Sequence, residues 1–132
     1  MGTSLILETS FLIDLEREAR RGDGPAHDLL EAQAEASLYI TPTIAGELAA
    51  GSSMLDRERW AAFIAPFIVL PLTVDVTWRY GQAYRYLRAN GMLIGANDLW
   101  IAAAGIAYRM PVATRNASDF RRVPGLEVLT YT

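Results

Sequence analysis

The chain of 132 residues contains no cysteine, no lysine and a single histidine, His27. Without cysteine, a disulfide framework, a thiolate zinc site and a thiol nucleophile are excluded, and a reducing compartment is compatible with the composition. Without lysine, a P-loop, a Schiff-base enzyme and a receiver domain are excluded as well. One histidine in a polar segment gives a Ser-His-Asp triad or a two-histidine zinc site almost nothing to build on. Carboxylates, hydroxyls and arginines remain as the groups able to carry chemistry.

The chain also has no apolar run long enough to cross a bilayer, and its N-terminus has neither the basic nor the apolar region of a signal peptide. We therefore expect a cytoplasmic protein with no membrane association. The composition, 52% hydrophobic and 20% charged, predicts one packed domain over residues 1–132. The net charge of -3 gives no overall attraction to nucleic acid, although all 12 basic residues are arginine.

Strand and helix patterns alternate along the whole chain. Strands are predicted over residues 5–7, 38–40, 68–70, 112–114 and 127–129. Helices are predicted over residues 11–19, 26–36, 42–51, 56–65, 74–90 and 98–108, with a helical turn over 117–121. This alternation predicts an α/β fold with a mainly parallel sheet covered by helices on both faces. In such folds, ligands bind beyond the carboxyl ends of the strands.

Four acidic residues lie in or beside apolar segments, three of them at predicted element ends: Glu8, Glu47, Asp98 and Asp119. A carboxylate in an apolar environment costs several kcal/mol (roughly 2–7 for a polar group) unless it is paired, hydrogen-bonded or bound to a cation. The predicted topology can bring all four to one edge of the sheet. We therefore predict one shared metal site.

Each acid also has a structural alternative. Asp98 could cap its helix, Asn116 and Asp119 have the spacing of a capping box, and Glu47 could lie on a solvated face. For Glu8 we see no structural requirement at a strand end. A second acidic group is predicted to form a solvated helix face with neighbouring arginines and is not assigned to the site: Asp14, Glu16 and Glu18.

Clustered carboxylates without histidine or cysteine select hard cations, which here means Mg²⁺ or Mn²⁺. We expect Glu8, Asp98 and Asp119 to be metal ligands, with Glu47 bound directly or through water. Metal-activated water is then the expected nucleophile for a phosphodiester substrate. Three arginines near Asp119 are candidates for attracting the substrate phosphate: Arg115, Arg121 and Arg122.

Four segments resemble the successive motifs of PIN domains, especially the VapC-type toxins of bacterial toxin–antitoxin pairs. They read LILETSFLID (5–14), TPTIAGEL (41–48), GANDLWIAA (95–103) and ATRNASDFRRVPGL (113–126). The resemblance implies an α/β/α sandwich and a Mg²⁺- or Mn²⁺-dependent endoribonuclease. It also implies a homodimer neutralised by a VapB-type antitoxin. The acidic quartet of the family falls on the four acids above, and its supporting polar positions fall on Thr9 or Ser10, Thr114 and Asn116.

One position departs from the family pattern, because Glu8 stands where PIN domains normally have aspartate. The longer side chain moves the carboxylate away from the backbone, and magnesium geometry is sensitive to such a change. A tolerated variant, a natural weakening of the enzyme and a deliberate substitution that permits expression all remain open. We expect a retained but weakened metal site. The alternative function is an inactive PIN-fold binding module, which Glu8 favours and the other three acids disfavour.

Overall fold

Five short strands form the centre of the fold in the computed structural model, which describes residues 3–131. They are β1 (Ser4–Leu7), β2 (Ser37–Ile40), β3 (Ile68–Val69), β4 (Val112–Ala113) and β5 (Val128–Leu129). All neighbouring pairs are parallel, and the order across the sheet is β3-β2-β1-β4-β5. The prediction of an α/β fold with a mainly parallel sheet is therefore confirmed.

Seven helices flank this sheet within the described range. They are α1 (Thr9–Ala19), α2 (Pro25–Ala32), α3 (Pro42–Ala50), α4 (Arg57–Ile64), α5 (Val74–Ala89), α6 (Ala96–Tyr108) and α7 (Ala117–Phe120). A 3-10 turn over Ser52–Met54 was not predicted, and α2 is shorter than the predicted 26–36. No helix among residues 3–131 has both the length and the apolarity needed to span a membrane.

The start of α3 follows directly from local sequence. The Thr41 hydroxyl accepts a hydrogen bond from the backbone N–H of Ile44, and Pro42 occupies the first helical position, where no N–H is needed. Ile44 and Leu48 then face the core. The position at which α3 begins determines which of its side chains face the carboxyl end of the sheet. Glu47 is one of these.

Strand β1 lies in the middle of the sheet, between β2 and β4. Leu7 pairs with Ala113, so the residues that follow them, Glu8 and Thr114, emerge side by side at the carboxyl edge. On one side of β1 the sheet continues through β2 and β3, and on the other side it continues through β4 and β5. The carboxyl edge between β1 and β4 is therefore the point at which the strand order switches. A ligand site is expected at such a point.

The acidic residues of α1 do not form the predicted solvated face, so that prediction was wrong. Glu18 is buried and accepts hydrogen bonds from the backbone N–H groups of Ala26 and His27, at 3.0 and 2.9 Å. Its Oε1 also lies 2.9 Å from Nδ1 of His27. Gly24 is required beside it, because a Cβ there would lie 2.2 Å from Cδ of Glu18 and φ is +153°. Glu18 therefore joins α1 to the start of α2.

We expect Glu18→Gln to destabilise the protein by about 1–3 kcal/mol, because an amide NH₂ would face a backbone N–H that now donates to a carboxylate. Burial alone would raise the pKa of Glu18, but hydrogen bonds from the His27 and Ala26 backbone and from the His27 ring outweigh burial and lower it. This stabilisation is therefore present above pH 4.5 and is lost as the pH falls through the folded-state pKa. Urea unfolding at pH 7 and pH 3 should show a smaller wild-type advantage at pH 3 than at pH 7. An equal advantage at both values would contradict the prediction.

Candidate active site

Glu8 leaves β1 at the carboxyl edge of the sheet and is only 5% exposed. It is the N-cap of α1, and its Oε2 accepts from the backbone N–H of Ser10 at 3.1 Å. Its Oε1 accepts from the hydroxyls of Ser10 and Thr114, at 2.6 and 2.5 Å. A strand end can thus have a structural use for glutamate, which the sequence analysis did not recognise.

Glu47 lies in the second turn of α3 and is held by two neighbouring elements. Thr9 donates its hydroxyl to Oε1 at 2.6 Å, and the Asn97 side-chain amide donates to Oε2 at 3.3 Å. The carboxylate is partly buried rather than solvated. Because its partners come from α1 and α6, Glu47 connects α3 with the helix that follows Glu8 and with the helix that carries Asp98.

Asp98 lies in the first turn of α6 but does not cap it, because Gly95 occupies the N-cap. Within residues 3–131, no hydrogen-bond donor contacts its carboxylate. Burial and, after it, the negative charges of Glu8, Glu47 and Asp119 raise the pKa of Asp98 to about 6. The three other carboxylates are therefore close enough to Asp98 for their charges to act on it.

Asp119 belongs to the short helix α7, which follows β4. The Asn116 side-chain amide donates to its Oδ2 at 3.1 Å, and no side-chain hydrogen bond caps this helix. The capping-box interpretation of Asn116 and Asp119 was therefore wrong, although the two side chains do interact. Asn116 also donates its backbone N–H to the Thr114 hydroxyl at 2.9 Å, so one loop supports both Asp119 and Glu8.

The three candidate arginines differ in position. Arg115 donates to Oδ1 of Asp14 at 2.7 Å. Arg122 donates to the Leu93 carbonyl at 3.3 Å, and its other guanidinium nitrogen lies 4.0 Å from Oδ1 of Asp119. Arg121 is exposed. Arg122 therefore lies near Asp119, whereas the side chain of Arg115 contacts Asp14.

Comparison with known proteins identifies the family, since the PIN domain profile matches residues 5–126. The chain belongs to the PIN domain family. It is similar to ribonuclease VapC1 of Rickettsia felis (31% identity, 97% of this chain and 96% of the relative). It is likewise similar to ribonuclease VapC of Rickettsia bellii (32% identity, 96% and 95%). Through these relatives it belongs with the VapC proteins.

Solved structures support the fold of this PIN domain. VapBC2 of Rickettsia felis, bound to a DNA fragment from its promoter, superposes with a TM-score of 0.83 at 21% identity, covering 98% of this chain and 100% of that chain. VapBC-1 of nontypeable Haemophilus influenzae gives a TM-score of 0.81 at 22% identity, with 98% of each chain covered. The α/β/α arrangement is thus the PIN fold over the whole described chain.

The carboxylates of this PIN domain fit a hard divalent cation in chemistry but are not arranged as a finished cage. Among residues 3–131, no group of three or more aspartate, glutamate or histidine side chains is placed so that it could hold a metal ion. Within the same range, however, no donor contacts the Asp98 carboxylate, and burial and the repulsion of the three other acids raise its pKa. Such repulsion favours a cation.

Sequence analysis did not recognise the roles of three polar residues around this site: Asn97, Asp14 and Tyr131. Asn97 contacts Glu47, and Asp14 contacts both Arg115 and Tyr131. For Asp14 a signal was present, because Ser10 and Asp14 are four residues apart on α1 and share one helix face. For Tyr131 the sequence offered none.

Proposed function

We propose that this protein is a divalent-metal-dependent endoribonuclease of the VapC type, a toxin that hydrolyses RNA phosphodiesters and is neutralised by a VapB-type antitoxin. One observation carries the proposal: burial and the negative charges of Glu8, Glu47 and Asp119 together raise the pKa of Asp98 to about 6. Membership of the PIN domain family and the ribonuclease VapC relatives support it. Because its substrate would be cellular RNA, we place its action in the cytoplasm.

We propose Mg²⁺ or Mn²⁺ as the cofactor, held by Asp98, Asp119 and Glu8, with Glu47 binding directly or through water. The bound ion would supply Lewis-acid chemistry, making water a stronger nucleophile and offsetting phosphate charge. Glu8 has donors on both lone pairs of Oε1 but only one on Oε2, so Oε2 is its available ligand atom.

The polar residues around the acids have a distinct part in this proposal. Thr9 and Asn97 orient the Glu47 carboxylate, and Asn116 orients that of Asp119. Ser10 of α1 and Thr114, which follows β4, both donate to Glu8 and hold its carboxylate in place. We call the space between Glu8, Glu47, Asp98 and Asp119 the acidic cleft. Arg115 and Arg122 would supply positive charge near this cleft, where an RNA phosphate needs attraction.

The antitoxin is expected to use a groove beside Glu47. A cavity of about 350 Å³ lies between α1 and α3 and continues along the small residues Gly51, Ser52 and Ser53. A peptide along this groove could place an arginine near the acidic cleft, where its planar guanidinium can engage carboxylates. Neutralisation by such a peptide is consistent with the solved VapBC complexes of similar fold.

We also propose a homodimer, for which an exposed apolar strip on and before α5 is the supporting observation. Its large side chains are Leu72, Val74, Trp78 and Tyr86. Exposed apolar residues grouped on one face are typical of association surfaces. The inactive binding module is the other candidate function. It is not favoured, since Glu47, Asp98 and Asp119 are all present and electrostatically coupled.

The direct test is cleavage of RNA by the protein freed of any co-purified antitoxin. We expect fragments from a structured RNA with millimolar Mn²⁺ or Mg²⁺ and no fragments with EDTA, resolved on a denaturing gel. Asp98→Asn, purified in the same way, controls for contaminating ribonuclease. Equal cleavage by both proteins, or none by the wild type under any divalent condition, would contradict the proposed function.

A further inference from the structure

Asp14 is the centre of a polar network that links three distant parts of the chain. It lies on α1, and its side chain is 15% exposed. One carboxylate oxygen accepts from Nη1 of Arg115 at 2.7 Å, and the other accepts from the Tyr131 hydroxyl at 2.6 Å. A nearly buried carboxylate with a partner on each oxygen has little freedom to rotate, so it can define the position of both partners.

Arg115 is fixed at its backbone as well as at its side chain. Its backbone N–H donates to the Ser10 hydroxyl at 3.0 Å, and that hydroxyl donates to Glu8 at 2.6 Å. Its side chain is nevertheless 49% exposed. A guanidinium has five N–H donors, and Asp14 uses one of them. The remaining donors are therefore available to a ligand.

Tyr131 completes the network from the segment after β5. Its ring packs edge-on against Phe11 of the core, with centroids 4.9 Å apart. Burial raises the pKa of Tyr131, and the hydrogen bond to Asp14 raises it further, so its hydroxyl stays protonated and donates. The donated bond holds the Asp14 carboxylate in the orientation that meets Arg115.

We propose that Asp14 and Tyr131 are positioning residues that hold the Arg115 guanidinium at the edge of the acidic cleft, where it binds a phosphate of the RNA substrate. The inference rests on the proposed ribonuclease function and adds to it a specific phosphate contact with its support. Asp14 and Tyr131 do not touch the reacting atoms, so their effect is on substrate binding rather than on the chemical step.

A purely electrostatic role for Asp14 makes the opposite prediction. If Asp14 merely neutralised Arg115, then Asp14→Asn would leave a stronger positive charge beside the cleft and RNA would bind more tightly. If Asp14 positions Arg115, the same substitution releases the guanidinium and RNA binds more weakly. Tyr131→Phe changes no charge, so its effect reports on position alone.

The experiment measures kcat and KM for cleavage of a short fluorogenic RNA with Mn²⁺. We expect Arg115→Gln to raise KM by about tenfold, as for loss of one charge-assisted contact, and Asp14→Asn and Tyr131→Phe to raise it by roughly threefold. In all three variants kcat should stay within about twofold of the wild type. Asp23→Asn is the matched control, because this exposed residue lies between α1 and α2 and has the same charge change.

A double variant separates positioning from general stabilisation. In an Arg115→Gln background, Asp14→Asn should raise KM no further, because its only route of action has been removed. An additive increase, or a lower KM in Asp14→Asn than in Asp23→Asn, would overturn the inference while leaving the ribonuclease function intact. Absence of divalent-dependent cleavage by the wild type would instead overturn the proposed function, and the positioning role with it.

Discussion

Asp98→Asn is expected to lower the rate of RNA cleavage on the order of a hundred- to a thousandfold, the loss seen when a main electrostatic group is removed from an active site. The charges of the other three acids add to burial in raising the pKa of Asp98, and Asp98 is the one of the four without a hydrogen-bond donor among residues 3–131. Asparagine has nearly the same shape, so the fold around the first turn of α6 should be kept. The lost property is the negative charge that a cation requires.

The same substitution should stabilise the metal-free protein at neutral pH. In the folded state the pKa of Asp98 is raised from 3.8 to about 6. A raised pKa means that the folded protein binds this proton more tightly, so the associated stability is present below pH 4 and is lost as the pH rises through about 6. Asparagine carries no titratable proton, so the variant does not lose this stability as the pH rises. Because the side chain is half-exposed and screened, we expect only about 1 kcal/mol, or roughly 2–5 °C in melting temperature.

Thermal unfolding in EDTA at pH 4.5 and pH 7.5 measures this effect. The melting temperature of Asp98→Asn should exceed that of the wild type at pH 7.5 and approach it at pH 4.5. Addition of Mn²⁺ should reverse the order at pH 7.5, because a cation that binds only the native wild type stabilises it by mass action. Asp23→Asn controls for net charge. A less stable Asp98→Asn in EDTA at pH 7.5 would show that this carboxylate has a structural role instead.

The sequence was sufficient to predict that three of these acids lie near one edge of the sheet, because that prediction needs only the order of strands and helices along the chain. Strands that alternate with helices form a parallel sheet, and all carboxyl ends of such a sheet lie at one edge. Glu8 follows β1 directly, Asp119 lies in the short helix after β4, and Glu47 lies in the helix that follows β2. Their placement at this edge thus requires only the order of elements along the chain. The start of α3 at Thr41 and Pro42 was predictable for the same reason, since a cap involves neighbouring residues.

The partners of individual carboxylates were not predictable, because they come from distant positions. Glu8 is held by Thr114, and Asp14 by Tyr131, residues that are separated by 106 and 117 positions. Helix periodicity placed Asp14, Glu16 and Glu18 among arginines and suggested a solvated face. The structure instead gives each a tertiary partner: Glu16 contacts Ser53 and Arg59, and Glu18 caps α2. Amphipathic pattern alone does not distinguish solvent from a polar partner.

Glu8→Asp is the second substitution with a large expected effect, and it addresses the one departure from the PIN pattern. Glutamate reaches down to the Thr114 hydroxyl, so its carboxylate is buried and its Oε1 is occupied by two donors. Aspartate is a preferred N-cap residue and can still accept from the Ser10 backbone N–H. Its shorter side chain would give up part of the contact with Thr114. We therefore expect its second oxygen to become available to a cation.

For Glu8→Asp we expect tighter Mn²⁺ binding and faster cleavage, each by about tenfold, the lower end of the range for changes in the groups that support metal ligands. Isothermal calorimetry measures Mn²⁺ binding without reference to activity, and melting temperature in EDTA checks that α1 remains capped. Glu47→Asp is the matched control, since it removes the same methylene from an acid that Thr9 and Asn97 already hold in the cleft. That variant should bind Mn²⁺ more weakly.

The outcome also separates the explanations for glutamate at this position. A gain in both affinity and rate means that Glu8 weakens a functional site, whether by nature or by design. A loss means that the cleft is built around the longer side chain, with Ser10 and Thr114 as its fixed supports, and that Glu8 is a tolerated ligand variant. If affinity and rate are both unchanged while Asp98→Asn abolishes cleavage, Glu8 acts only as the cap of α1, and the cation is held by Glu47, Asp98 and Asp119.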